Sequence, residues 1–260
     1  MQNPQWDPAT YLTFAEERGR PFHDLLARVR TTAPRRVVDL GCGPGNLTAD
    51  LPRRWPTATV EALDSSPEMV EEARALGLAA ELGDVREWHP SPDTDVVVAN
   101  ALLQWVPEHR ELLRRWTREL PAGATIAFQV PGNQGSPAHV SARQVATTTR
   151  WRERLGDALV ARADVVSTPA EYGDLLAAAG CAVDAWETTY LQRLTGEDPV
   201  LEWLSGTGLR PVRTQLDDAG WREFREDLAP LLREAYPRRA DGTTWFPFRR
   251  IFVVATTPRG

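Results

Sequence analysis

Short apolar runs alternating with helical patterns constrain the fold of this chain more than any other feature. "RVVDL" (36–40), "ATVEALD" (58–64), "AAELGD" (79–84), "DVVVAN" (95–100) and "ATIAFQV" (124–130) recur through its first half. The first, bounded by Pro34 and Gly41, reads as a strand buried on both faces. Helical patterns lie between the runs at 45–54, 67–76 and 108–119, the second opened by Ser66 as cap and Pro67 in the first turn. This alternation predicts a parallel sheet joined by right-handed crossovers, a doubly wound α/β domain.

After Val130 the rhythm breaks. Residues 131–165 open with "PGNQGSP", and 195–240 again read as mostly helical. Both are expected to form helical lid insertions over the carboxyl edge of the sheet. A helix at 168–179, a strand in "CAVDAWETTYLQRL" and a last strand at 245–256 return to the α/β pattern. The expected organisation is thus a helical N-terminal cover (1–30), an α/β core (31–130, completed by 166–194 and 241–260) and the lid.

Composition narrows the function classes. A net charge of −6 speaks against a partner bound by neutralising nucleic-acid phosphates. No apolar run approaches the roughly 20 residues of a membrane span, and "MQNPQWDPATYLTF" has no basic region followed by an apolar one. Two cysteines outside any CxxC pair point to a reducing cytoplasm. His23, His89, His109 and His139 show no metal-ligand spacing, so no metal is expected. Most of the ten tryptophans are expected in core or pocket wall.

Ligands of open parallel sheets bind at the carboxyl ends of the strands. The first strand here ends in "DLGCGPG" (39–45). Gly41, Gly43 and Gly45 let backbone approach a ligand, and a helix beginning near Gly45 would offer free N–H groups. Asp64, ending the second run, suits the two hydroxyls of a ribose; Asp84, ending the third, suits the exocyclic amine of an adenine, with Val85 beside the ring. A dinucleotide fingerprint does not fit, because the third glycine falls one residue early and position 46 is Asn. Asp39 would repel a pyrophosphate and attract an ammonium or sulfonium. No phosphate-binding run ending in Gly-Lys-Ser/Thr is present.

"DLGCGPG" (39–45), "ALDSSPEMV" (62–70), "GDV" (83–85) and "ANALLQWV" (99–106) together resemble the class I S-adenosylmethionine-dependent methyltransferases. The resemblance implies a Rossmann-like fold with a seven-stranded, mostly parallel sheet and an antiparallel C-terminal strand. It also implies S-adenosylmethionine as cofactor, with S-adenosylhomocysteine as product and no metal. On it, Asp64 would hold the ribose, Ser65 and Met69 would flank the adenine, and Asp84 would take its amine. The Gly41 carbonyl would take the methionine ammonium, and Asn100 would line the methionine moiety.

Across nearly the whole chain, "WDPATYLTF", "ALLQW", "TGLRP" and "RRIFVVA" are similar to the trans-aconitate 2-methyltransferases. That similarity implies monomethyl esterification of a small tricarboxylic acid. A carboxylate acceptor is already anionic, so it needs cationic positioning and no base. The candidates for binding it are Arg18, Arg210 and Arg250, with Tyr190 and Trp203 donating or walling and Gln104 as a polar lining residue. The pair Arg249-Arg250 leaves open which one faces the pocket. Tyr11 and Phe14 would close over the cofactor. The rival readings are transfer to another small acceptor, such as a malonyl-type thioester or a secondary metabolite, and a module that binds the cofactor without catalysis.

Overall fold

In the computed structural model, residues 15–156, 158–159 and 165–259 are described. Seven strands hydrogen-bond in the order β3-β2-β1-β4-β5-β7-β6. They are β1 (Arg36–Leu40), β2 (Thr59–Asp64), β3 (Ala80–Leu82), β4 (Thr94–Asn100), β5 (Thr125–Pro131), β6 (Ala182–Thr195) and β7 (Thr243–Thr256). The pairings among β1 to β5 are parallel, whereas β7 runs antiparallel to β5. Every apolar run singled out in the sequence became a strand, within a few residues at its ends.

Parallel register brings the strand ends level. Leu40 lies beside Leu63 of β2 and Ala99 of β4, and Asn100 lies beside Gln129 of β5. Val37, Val38, Val96, Val97, Val98, Ile126 and Phe128 are buried, as strands covered on both faces require.

Helix α1 (Ala15–Arg28) precedes β1, and α2 (Leu51–Arg54), α3 (Pro67–Ala75) and α4 (His109–Glu119) lie between the parallel strands. Ser66 caps α3 by accepting the Met69 amide at 3.4 Å, and Pro67 sits in its first turn, where a missing N–H costs nothing. Leu112, Leu113 and Trp116 form the buried stripe of α4.

The expected helix at 45–54 is corrected. The structure has turns up to Leu47, a 3-10 turn at Thr48–Asp50, and only then the single helical turn α2. Gly45 has φ +81°, outside the right-handed region, and Pro52 has no N–H to give to the Thr48 carbonyl, which instead accepts from Leu51.

The chain divides into two compact units. One comprises the described residues up to 131 together with 167–188 and 250–259; the other comprises 132–166 and 189–249. The second contains α5 (Pro137–Ala146), α6 (Thr149–Leu155), α8 (Pro199–Ser205), α9 (Arg210–Arg213) and α10 (Asp218–Ala235). Its core is aromatic. Trp151 meets Phe224 edge-on at 5.4 Å, and Trp203, Phe246 and Phe248 form a cluster with Tyr236 against Phe246. Helix α7 (Pro169–Ala177) belongs to the first unit and opens with a reciprocal capping box between Thr168 and Glu171.

The glycine turn supplies a stability test. A Cβ at Gly45 would lie 2.6 Å from Leu78 Cδ1 and 2.9 Å from Ala73 Cβ. Gly45→Ala is therefore expected to lower unfolding free energy by roughly 2–4 kcal/mol, read as a reduced midpoint in urea titration.

Candidate active site

The cofactor candidates gather at the carboxyl ends of β1, β2 and β3. Asp64 binds through both oxygens: Oδ2 accepts the Gly43 amide at 2.8 Å and Oδ1 accepts the Ser66 amide at 3.0 Å. Burial raises its pKa, and these amide bonds oppose the rise. The Ser65 amide adds a third backbone bond to the same carboxylate.

Gly41, Gly43 and Gly45 all have positive φ, and they divide the work. A Cβ at Gly41 would strike Leu102, as one at Gly45 would strike Ala73 and Leu78, so packing within the protein forbids a side chain there. At Gly43 a Cβ would meet nothing within 4 Å. That open direction is where a ligand can approach backbone.

Asp39 stands next to last in β1 and is only 2% exposed, so its carboxylate lies within the core at the carboxyl end of the strand. Its Oδ2 accepts the Thr48 hydroxyl at 2.6 Å, while its buried Oδ1 finds no partner among the described residues. Burial raises its pKa to about 7, opposed by the Thr48 hydrogen bond and reinforced by Asp64. An ionised carboxylate held this way is costly unless a proton or a nearby cation compensates it. The donor set therefore fits a cationic nucleoside: a buried acid, a carboxylate held by backbone amides and an open glycine.

Asp84 is not a free carboxylate. Arg86 grips it through Nε at 2.9 and 3.0 Å and through Nη2, and the Arg86 amide also donates at 2.9 Å. The guanidinium lowers its pKa and keeps it ionised. An adenine amine would have to share this carboxylate with Arg86, a partner two residues away that strand reasoning missed. Val85 is buried and Ser65 exposed at the same edge. Met69 is 2% exposed and offers no surface to an adenine, because the first turn of α3 points it into the core.

At the exit of β4, Asn100 accepts from Gln129 Nε2 at 2.5 Å. Ala101 follows with φ +54°, a strained conformation for a residue with a Cβ. Gln104 donates to the Ala101 carbonyl at 2.5 Å, and its buried Oε1 has no partner among the described residues. Arg250 is 6% exposed on β7 and donates to Gln129 Oε1 at 3.2 Å. Arg249 is half-buried and bound up with its neighbours: its amide donates to Asn133, and its guanidinium donates to the Gly132 carbonyl. The pair is thereby distinguished, with Arg250 the one held among the strand ends.

The remaining candidates lie in the other unit or outside the described residues. Trp203, expected as a donor or wall, is 1% exposed within the aromatic cluster and serves as core. Tyr190 is buried on β6, and Arg210 is half-buried at the start of α9. Tyr11, Phe14 and the Arg18 side chain lie outside the described residues. Buried His109 sits between the Val106 carbonyl (2.9 Å) and the Tyr172 hydroxyl (2.8 Å), a structural role. Among the described residues, no group of three or more His, Cys, Asp or Glu could hold a metal, and no helix is long and apolar enough to cross a membrane.

Gln129 is the residue that sequence reasoning missed. Its signal was present: a lone amide inside the otherwise apolar run "ATIAFQV", in a strand buried on both faces.

A family model described as a methyltransferase domain matches residues 37–123. The trans-aconitate 2-methyltransferase of Rhodococcus jostii (strain RHA1) is 66% identical over 96% of this chain and 98% of its own length. That of Mycobacterium tuberculosis (strain ATCC 25177 / H37Ra) is 55% identical over 96% of each. Among solved structures, the YcgJ protein of Bacillus subtilis has a TM-score of 0.57 at 15% identity, covering 92% of this chain and all of its own. The Haemonchus contortus phosphoethanolamine N-methyltransferase 2, in complex with S-adenosyl-L-methionine, has a TM-score of 0.55 at 14% identity, covering 92% of this chain and 53% of its own. These two share the fold.

Two measurements test the site. Gly43→Ala is expected to cost about 1 kcal/mol of stability but to weaken S-adenosylhomocysteine binding at least about tenfold, because the added methyl occupies the open direction; isothermal titration reads the second effect. Asp39 has a folded pKa above its unfolded value, so the folded state binds the extra proton between about pH 4 and 7. Stability falls across that window as pH rises, by up to about 4 kcal/mol. Asp39→Asn is expected to flatten this dependence and raise the melting temperature at pH 8, while reducing affinity for the cofactor.

Proposed function

The chain belongs to the trans-aconitate 2-methyltransferase family, and on that footing we propose that it transfers the methyl group of S-adenosylmethionine to a carboxylate of trans-aconitate, giving a monomethyl ester and S-adenosylhomocysteine. The observation that carries this reading is the 66% identity, nearly end to end, with a relative of that name. S-adenosylmethionine supplies, when bound, a methyl group activated on a positively charged sulfur.

The chain supplies placement and charge. Asp64, held by the Gly43, Ser65 and Ser66 amides, would accept from the ribose hydroxyls. The open side of Gly43 would let backbone approach the nucleoside, and buried Asp39 would favour a positive charge nearby. Asp84, kept ionised by Arg86, and buried Val85 define the adenine end.

Arg250 holds a carboxylate of the acceptor. It cannot lose its proton, and its buried place on β7 makes each hydrogen bond to an anion stronger than in water. No base is required, because the acceptor is already ionised at neutral pH. The donor would bring a sulfonium charge opposite to that of the acceptor, and Arg250 would fix the acceptor's carboxylate against it. Two buried free thiols, Cys42 and Cys181, suit a reducing cytoplasm.

Incubation with methyl-labelled donor and a panel of organic acids should yield a base-labile methyl ester, with trans-aconitate the best acceptor; no transfer to trans-aconitate would overturn the assignment. Arg250→Met should lower kcat/KM for trans-aconitate by about 100-fold or more. Its effect on S-adenosylhomocysteine affinity should be at least about tenfold smaller.

A further inference from the structure

Gln129 lies 1% exposed at the end of β5, with polar partners on both sides. In the parallel pair with β4 it stands directly beside Asn100, and its Nε2 donates to Asn100 Oδ1 at 2.5 Å. In the antiparallel pair with β7 it stands opposite Phe252. Arg250 is two residues from Phe252, a diagonal neighbour on the same face within reach of a long side chain. Its Nη1 donates to Gln129 Oε1 at 3.2 Å.

This chain of bonds has a polarity that chemistry makes one-way. A guanidinium has only donors, so Gln129 must turn its oxygen to Arg250 and its NH2 to Asn100. Asn100 must then answer with its oxygen, and its own NH2 points away from Gln129. The Gln129 backbone joins in: its carbonyl accepts the Ala101 amide at 2.9 Å, across the strained φ of +54° at Ala101. Side chain and main chain of one residue thus hold the exit of β4, which is how a strained conformation persists.

We propose that Gln129 is a positioning residue through which the Arg250 guanidinium sets the orientation of the Asn100 amide, so that the exit of β4 presents an N–H donor and reads a carboxylate. The carboxylate is that of the methionine portion of the donor or one of the acceptor's; the identity of both ligands rests on the function proposed above. Asn100 in the reverse orientation would present an oxygen to an anion and repel it.

Gln129→Glu tests the relay. A carboxylate at 129 still accepts from Arg250 but has no proton for Asn100, which then turns its NH2 inward and its oxygen toward the ligand. The expected result is a rise of about tenfold or more in one of two constants, with kcat changed less. A rise in the S-adenosylhomocysteine Kd, by isothermal titration, assigns the donor's carboxylate. A rise in the trans-aconitate KM alone assigns the acceptor's. In an Asn100→Ala background the same substitution should add nothing, because the amide it inverts is gone.

Both constants staying within about twofold, or a penalty that persists in full without Asn100, would overturn the relay. Gln129→Met covers the case of a Glu variant that does not fold. It removes both bonds without adding charge, and it should raise the same constant about threefold or more, again only when Asn100 is present. A wild type that does not methylate trans-aconitate would overturn the proposed function, while the S-adenosylhomocysteine cycle would still report on the relay.

Discussion

The carboxylate of Asp64 accepts the amides of Gly43 and Ser66, and so binds the exits of β1 and β2 and the entry of α3 into one piece. The Leu63 carbonyl strengthens the tie by accepting the Gly41 and Cys42 amides at 2.7 and 3.1 Å. Because β1 pairs with β2 on one side and β4 on the other, this turn sets the level of the sheet's carboxyl edge in both directions. Leu102, just past β4, packs where a side chain at Gly41 would stand. Backbone amides, not long side chains, thereby make the rigid part of the site, and their positions carry no rotamer entropy.

The electrostatics of the first unit follow from that rigidity. At the carboxyl ends of β1 and β2 the ionisable side chains of the strands are acceptors, the buried Asp39 and the half-buried Asp64. Across β4, β5 and β7 the chain from Arg250 through Gln129 to Asn100 ends in a donor. A methyl donor bearing both an ammonium and a carboxylate, and an acceptor that is an anion, call for both kinds of surface. Two groups bear a cost of burial: an acid whose pKa is lifted to about 7 and a Gln104 oxygen with no partner among the described residues. The second unit shows the opposite economy, with Trp151 and Trp203 spent on aromatic packing.

Much of the fold was legible in the sequence because strands buried on both faces must be continuously apolar and must be separated by helices. The two carboxylates were legible for a related reason, although only Asp64 ends its strand: β3 stops at Leu82, two residues before Asp84. Legibility failed where side chains choose partners across the sheet. Met69 and Trp203 have the chemistry of ligand walls, yet helix rotation and aromatic clustering turned both into core. Arg86 claimed Asp84 through a loop geometry that spacing alone does not reveal.

What the sequence determined by itself was the order of strands and helices, the kind of ligand that could approach the glycine turn, and the family of the chain. The first two follow from local periodicity and from residue types whose conformational freedom or charge is intrinsic, whereas the family follows from the resemblance of whole motifs such as "DLGCGPG" and "TGLRP". Only tertiary structure decided that Arg250, rather than Arg249, sits among the strand ends, and that Gln129 lies between it and Asn100. Positions 100, 129 and 250 are far apart along the chain, and no local rule relates them. The register of β4, β5 and β7 does, because hydrogen-bonded pairing places them side by side on one face of the sheet.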